Sequence, residues 1–173
     1  MAEWENSIGE SDEWYTPPEI FGALGIVFDL DPCSPGISHW VPAFFAFTKA
    51  DDGLSREWTG RVFMNPPFGG RNGHVPWLKK FLDHGDGIAV VRSYTSAAWF
   101  HDLIPRAECL LWPRGKTRFY RPDGSQGGNP GSGVVFLGMG DASCDALLHS
   151  GLGMTWDRRP VLRAKENTKS VSR

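Results

Sequence analysis

The sequence predicts an α/β fold: a compact, doubly wound, mostly parallel sheet with helices on both faces. Three observations predict it. Short apolar runs recur at Ile26–Leu30, Arg61–Met64, Gly87–Val91, Cys109–Trp112 and Gly133–Leu137, most of them bounded by Gly, Pro, Asp or Ser. Helix-period segments alternate with several of them. The runs are largely apolar throughout, as suits strands buried on both faces. At 173 residues and 40% hydrophobic, the chain is long enough for one domain with a real core.

Taken in order, Thr16-Pro17-Pro18-Glu19 reads as a helix start, with Thr as N-cap, Pro at the first helical position and Glu at the third. The helix carries Ile20, Phe21 and Leu24 inward and stops near Gly25. The strand Ile26–Leu30 ends at Asp31-Pro-Cys-Ser-Pro-Gly36, where two prolines and a glycine prevent regular structure. A brief strand is expected at Phe44–Phe47 and a turn at Asp51-Asp-Gly53. Arg61–Met64 runs into Asn65-Pro66-Pro67-Phe68-Gly-Gly70, and a helix from Pro76 follows through Trp77, Leu78, Phe81 and Leu82. After Gly87–Val91 comes a helix near Ser96–Ile104, then the strand Cys109–Trp112, a basic stretch, and Gly133–Leu137 as the last secure strand. In such sheets ligands sit outside the carboxyl ends of the strands, where Asp31 and Asn65 both fall.

Composition excludes several classes. No apolar run approaches the roughly 20 residues of a membrane span, and the first residues are acidic rather than apolar, so neither an anchor nor a secretory signal is expected. Three cysteines without a CxxC argue against a disulfide framework or zinc ribbon and favour a cytoplasmic chain. The five histidines form no i,i+4 pair, so no metal is expected. Ser93 and Ser96 lack a nucleophile-elbow context, which excludes that hydrolase class. The net charge of -2 hides asymmetry. Five acids and no base occupy residues 1–13, whereas Arg114, Lys116, Arg118 and Arg121 lie in a stretch without an acid. We therefore expect an acidic mobile arm over 1–12, a single domain over 13–156, and a basic mobile tail over 157–173.

The sharpest local signal is Asn65-Pro66-Pro67-Phe68 directly after a strand. Two adjacent prolines fix φ and remove two backbone donors, so nearby carbonyls have fewer local partners. An asparagine oxygen beside such a carbonyl forms an acceptor pair suited to an NH2 group. Phe68 offers a flat face for an aromatic base.

Asn-Pro-Pro-Phe at a strand end resembles the catalytic motif of S-adenosylmethionine-dependent amino-group methyltransferases. More of the chain resembles the phage-type DNA N6-adenine methyltransferases, a Dam-like family. The resemblance runs through Glu13-Trp-Tyr-Thr-Pro-Pro-Glu19, Phe28-Asp-Leu-Asp-Pro-Cys-Ser34, Asp52-Gly-Leu54, Trp58 and Asn65–Phe68, and on to Arg114-Gly-Lys-Thr-Arg-Phe119 and Gly133-Val-Val-Phe136. It covers about residues 13 to 140 and implies a Rossmann-like methyltransferase fold. It also implies transfer of a methyl group from S-adenosylmethionine to adenine N6 in double-stranded DNA after base flipping.

By that resemblance Asn65, Pro66, Pro67 and Phe68 form the catalytic motif, in which Asn65 and Pro66 accept hydrogen bonds from the target amine and Phe68 stacks on the base. Tyr15, Thr16 and Pro17 lie over the methionine end of the cofactor, and Asp31, followed by Pro32, takes its ammonium or another donor. Asp51 or Asp52 accepts from the cofactor's adenine amino group. Two departures stand out: the loop after Asp31 lacks GxG, and Asn65 follows Asp31 by only 34 positions. A full second βα unit hardly fits there, and no acid is an evident ribose ligand. With no room for a separate recognition domain, DNA contacts are expected from Arg114, Lys116, Arg118 and Arg121, then from Arg71, with Gln126 and Asn129 as base-edge readers. A monomer or weak homodimer is expected. Cytosine N4, a protein glutamine, or a silent DNA-binding role on the same fold are the alternatives.

Overall fold

The computed structural model describes residues 13–36, 39–67, 73–127 and 133–163 of the chain. Helix α1 (Pro18–Leu24) leads into β1 (Phe28–Asp31), β2 (Ala43–Ala46), a 3-10 turn at Lys49–Asp51, and β3 (Val62–Met64). Then follow α2 (Val75–His84), β4 (Gly87–Arg92), α3 (Ala98–Leu103), β5 (Cys109–Pro113), β6 (Val134–Met139), α4 (Asp141–His149) and β7 (Gly153–Asp157). Prolines at the first turns of α1 and α2 and left-handed glycines at 25 and 85 mark the starts and stops. Thr16 is not the N-cap. Pro17 flanks the helix instead, and the Thr16 hydroxyl is buried with no hydrogen-bond partner among the described residues.

The seven strands form one sheet in the order β2-β1-β3-β4-β6-β5-β7. The β1–β2, β1–β3 and β3–β4 pairings are parallel, whereas β4–β6, β5–β6 and β5–β7 are antiparallel. The expected mostly parallel sheet is thus parallel only in its first half. The reason lies in the connections. β5 reaches β6 through the basic segment with no crossover helix among the described residues, and β6 returns antiparallel between β4 and β5. Neither α4 nor β7 is evident in the sequence.

Strand alternation divides the core in two. Phe63, Ile88, Val90, Leu111 and Phe136 face α1 and α4, while Val62, Met64, Ala89, Val91 and Leu137 face α2 and α3. Helices therefore cover both faces, as expected. The exception is the β2 edge. No helix fits between β1 and β2, and Phe44 and Phe45 remain 74% and 71% exposed. No helix among the described residues is long and apolar enough to cross a membrane. Residues 157–163, the start of the expected tail, are tied down: Asp157 ends β7, and Arg159 bridges Asp141, Asp145 and Asp157. The rest of that tail and the 1–12 arm lie outside the described residues.

This topology places the site. From β1 the chain steps outward to β2, then crosses back to put β3 on the other side of β1. The carboxyl ends of β1 and β3 therefore flank the point where strand order reverses, the place where open α/β sheets bind ligands. Asp31 ends β1 and Asn65 follows β3.

Candidate active site

A cavity of about 730 Å³ opens at this switch point, within the usual range for a cofactor pocket. It brings together Tyr15, Thr16, Asp31, Pro32, Asp52, Asn65, Pro66 and Pro67, residues from four separate segments that the sequence singled out. Pro17 and Asp51 do not line it. Phe68 and Arg71 lie outside the described residues, as do Gly69, Gly70 and Asn129.

Asn65 is half-buried, and its amide is held from one side only. Its Nδ2 donates to the Trp14 carbonyl at 2.5 Å, while its Oδ1 is buried with no partner among the described residues. A carbonyl can only accept, so Trp14 fixes which end of the amide is the free acceptor. A buried oxygen left unpaired costs about 1–3 kcal/mol, a cost that a ligand N–H would remove. Beside it, Pro66 is buried and Pro67 exposed.

Asp31 is 3% exposed, and burial pushes its carboxyl up to about 7, against a partial offset from the Cys33 N–H donated to its Oδ1 at 3.0 Å. No basic side chain among the described residues pairs with it. Burial, and then the neighbouring Asp31 carboxylate, hold the Cys33 thiol well above its ordinary range. Cys33 is therefore a protonated thiol and no nucleophile.

The loop after Asp31 is tied to the segment after β2. The Phe47 N–H donates to the Asp31 carbonyl at 2.8 Å and the Ser34 N–H to the Phe47 carbonyl at 2.9 Å. Gly53 packs so closely on this loop that a Cβ there would stand 2.1 Å from the Pro32 carbonyl oxygen. Only glycine permits that approach, and it brings Asp52 to the cavity wall. The two candidate acids separate cleanly. The Asp51 carboxylate accepts from the Thr48 N–H at 2.8 Å and the Thr48 hydroxyl at 2.7 Å, which hold its pKa below the usual carboxylate range. Asp52 instead turns through a left-handed conformation (φ 51°) and faces the cavity.

Residues 13–16 close the other side. Tyr15 and Tyr120 exchange two backbone hydrogen bonds of 2.9 Å, and Tyr120 pairs in turn with Gln126, making a three-stranded ribbon. Trp40 packs edge-on against both tyrosine rings and donates its indole N–H to the Thr16 carbonyl at 2.6 Å. Burial, together with the hydrogen bond to Glu13 and its charge, pushes the Tyr15 hydroxyl up to about 12. It therefore stays protonated and donates to that carboxylate.

The basic segment runs from β5 into this ribbon. Thr117 and Phe119 are buried while Lys116 and Arg118 between and before them are exposed, so inward anchors set the two bases on the solvent side. Arg114 is exposed as well. Arg121 is exposed too, but its guanidinium lies 5.4 Å over the Trp14 ring. Gln126 is exposed at the ribbon's far strand.

Several lining residues carry no sequence signal. Trp77 reads as core, yet it lines the cavity while packing against the α2 side of the core. Trp40 and Lys49 lie in an irregular stretch without a motif, and His39, whose Nδ1 is buried and unpartnered among the described residues, offered only the absence of metal spacing. No motif marks any of them, since each reaches the wall only through the folding of residues distant in the chain. Among the described residues no group of three or more His, Cys, Asp or Glu is placed to hold a metal ion.

A sheet of this order, with an acid ending β1 and Asn-Pro-Pro after β3 around one cavity, defines a protein of the Rossmann-like methyltransferase class. Comparison with known families narrows this: the family DNA N-6-adenine-methyltransferase (Dam) matches residues 6–138, well over half of the chain, and the chain belongs to that family. Neither the curated proteins nor the solved structures gave a match.

Proposed function

We propose that this chain transfers the methyl group of S-adenosylmethionine to the N6 amino group of adenine in double-stranded DNA. The observation that carries the reading is the Asn65 amide: its orientation is locked by Trp14 and its acceptor oxygen is buried at the cavity wall without a partner among the described residues. An aromatic amine is a poor nucleophile because its lone pair is delocalised into the ring. An acceptor on one of its protons, with the Pro66 carbonyl as the second, favours tetrahedral nitrogen. It also stabilises positive charge that grows as the nitrogen attacks. No strong base is needed, since the nitrogen becomes acidic as it is alkylated.

The cavity suits the cofactor. Asp31, Asp52 and Glu13 stand against a single lysine, Lys49, which favours a cationic ligand. The Thr16 hydroxyl, without a partner among the described residues, and Trp40 and Trp77 provide polar and aromatic contacts. Bound there, S-adenosylmethionine supplies an electrophilic methyl group. Asp31 ionises against the cofactor's ammonium, Asp52 accepts from its adenine amino group, and Tyr15 and Thr16 lie over its methionine end. Phosphates meet Arg114, Lys116 and Arg118, and Arg71, which follows the motif in sequence. The target adenine leaves the duplex to reach Asn65, with Phe68 stacking on it. With so small a reading surface on these segments, the target sequence is short or relaxed.

The test is transfer from labelled S-adenosylmethionine to unmethylated duplex DNA, followed by nucleoside analysis, with Asn65→Ala beside the wild type. N6-methyladenine is expected, reduced about 100-fold or more in the variant. The variant's stability should lie within about 1 kcal/mol of wild type, because the lost hydrogen bond is offset by removal of the unpaired oxygen. Label in cytosine, in protein glutamine, or nowhere overturns the reading.

A further inference from the structure

We infer that Arg121 is a positioning residue for the Asn65 amide, acting through Trp14, rather than a phosphate contact like its basic neighbours. The inference rests on the methyltransferase reading only for its consequence; the contacts stand by themselves. Asn65 is held at one point, the Trp14 carbonyl, 51 residues away in the chain. Trp14 is in turn held from two sides. It packs against the apolar cluster beneath α1 and α4, and the Arg121 guanidinium sits 5.4 Å over its ring.

The geometry that delivers Arg121 is specific. Tyr15 and Tyr120 are bridged, so the residues beside them, Trp14 and Arg121, come together at the end of the bridge. A tight turn closes the ribbon: the Arg121 N–H donates to the Ser125 carbonyl and the Gly124 N–H to the Arg121 carbonyl, both at 2.9 Å. The chain then returns past the stacked pair at Gly127, where a Cβ would stand 2.9 Å from both Arg121 Nε and Trp14 Cζ3. Gly127 has an ordinary φ, so a side chain there is excluded by the stack and not by the backbone. Glycine at 127 thus leaves room for the guanidinium on the indole.

Loss of the stack frees Trp14 to shift and its carbonyl with it, and the Asn65 amide is then no longer held with its oxygen toward the cavity. The same segment lines the cavity through Trp14, Tyr15 and Thr16. Arg121 therefore links the ribbon beside the exposed basic residues to both the acceptor and the cofactor wall.

The experiment is two-dimensional NMR of side-chain amides. The chain has only five asparagines and one glutamine, so the Asn65 pair is assigned by its loss in Asn65→Asp. Arg121→Ala and Gly127→Ala should each move the Asn65 NH2 resonances, Arg121→Lys should restore them because it keeps a cation on the ring, and Lys116→Ala should leave them in place. Gly127→Ala keeps every positive charge, so its effect cannot come from lost phosphate contacts. S-adenosylmethionine binding without DNA should weaken up to about fivefold in Arg121→Ala, the factor equivalent to a ~1 kcal/mol cation–π contact. The slope of log affinity for DNA against log salt should stay unchanged in that variant. If the Asn65 resonances do not move in either Arg121→Ala or Gly127→Ala, or if Arg121→Ala instead lowers the salt slope by ~0.9 with Asn65 unmoved, the inference is overturned. If they move while the wild type binds no S-adenosylmethionine, the positioning role stands and the proposed function falls.

Discussion

Asp31→Asn should stabilise the free protein at alkaline pH and do little for it at acidic pH. The native Asp31 carboxyl titrates at about 7 because burial disfavours its charge, against 3.8 in an exposed chain. Between those values the native state keeps a proton that the unfolded state has released. Native stability from this group is therefore complete below about pH 4 and is lost as pH rises through 7. Over the whole window the loss is about 4 kcal/mol, at about 1.4 kcal/mol per pH unit. Roughly 3 kcal/mol of it falls between pH 5 and pH 8.

Asparagine keeps an acceptor for the Cys33 N–H at 3.0 Å and carries no charge to desolvate. Any fixed cost of its extra NH2 is the same at both pH values and cancels in the comparison. For a domain of this size about 3 kcal/mol corresponds to ~6–12 °C in Tm. The assay is thermal unfolding of both proteins at pH 5 and pH 8, and the quantity to compare is the difference in their Tm at each pH. His74 makes this subtraction necessary. Its ring is buried, and burial followed by the charge of Arg92 lowers its pKa to about 4, so it costs stability as pH falls below its unfolded value of 6.5 and masks Asp31 in the wild type alone. If the Tm difference is the same at pH 5 and pH 8, Asp31 is not a buried, unpaired carboxyl and the reasoning fails. The same variant should bind S-adenosylmethionine more weakly, because the charge costly to the free protein is the one a cationic ligand uses.

The two neighbouring acids should separate by assay. Asp51→Ala breaks both bonds to Thr48 and should lower Tm, whereas Asp52→Asn tolerates the left-handed backbone and should weaken cofactor binding with Tm unchanged. A larger loss of cofactor affinity in Asp51→Ala, measured where both variants are folded, would reverse the roles. Replacing Arg114, Lys116 and Arg118 together by alanine should flatten the salt dependence of DNA binding by up to ~0.9 per residue; an unchanged slope removes this segment from the DNA surface.

Much of this protein was legible in its sequence because much of it is local. Apolar runs closed by glycine and proline located β1, β3, β4, β5 and β6 to within a few residues, since burial on two faces demands continuous apolar character. Asn65-Pro-Pro and Asp31-Pro announced themselves by composition, and both fall at strand ends. Weak periodicity hid the rest. β7 shows only the alternation of an edge strand, with Met154 and Trp156 exposed, and α4 has a narrow apolar face, buried mainly at Cys144 and Leu147.

Sequence by itself thus determined the class of fold, the strand-end position of Asn65 and Asp31, and the family. Tertiary structure alone decided the direction of β6, which no local window encodes because a loop and a crossover read alike. It also decided which of two adjacent aspartates faces the cavity, through the close approach of Gly53 to Pro32. The same holds for the proton on Asp31, set by how deeply folding buries it, and for the Asn65 oxygen, left free because the Trp14 carbonyl takes the other end of its amide. Each is a contact between residues distant in the chain, and its energy exists only once the sheet has brought them together.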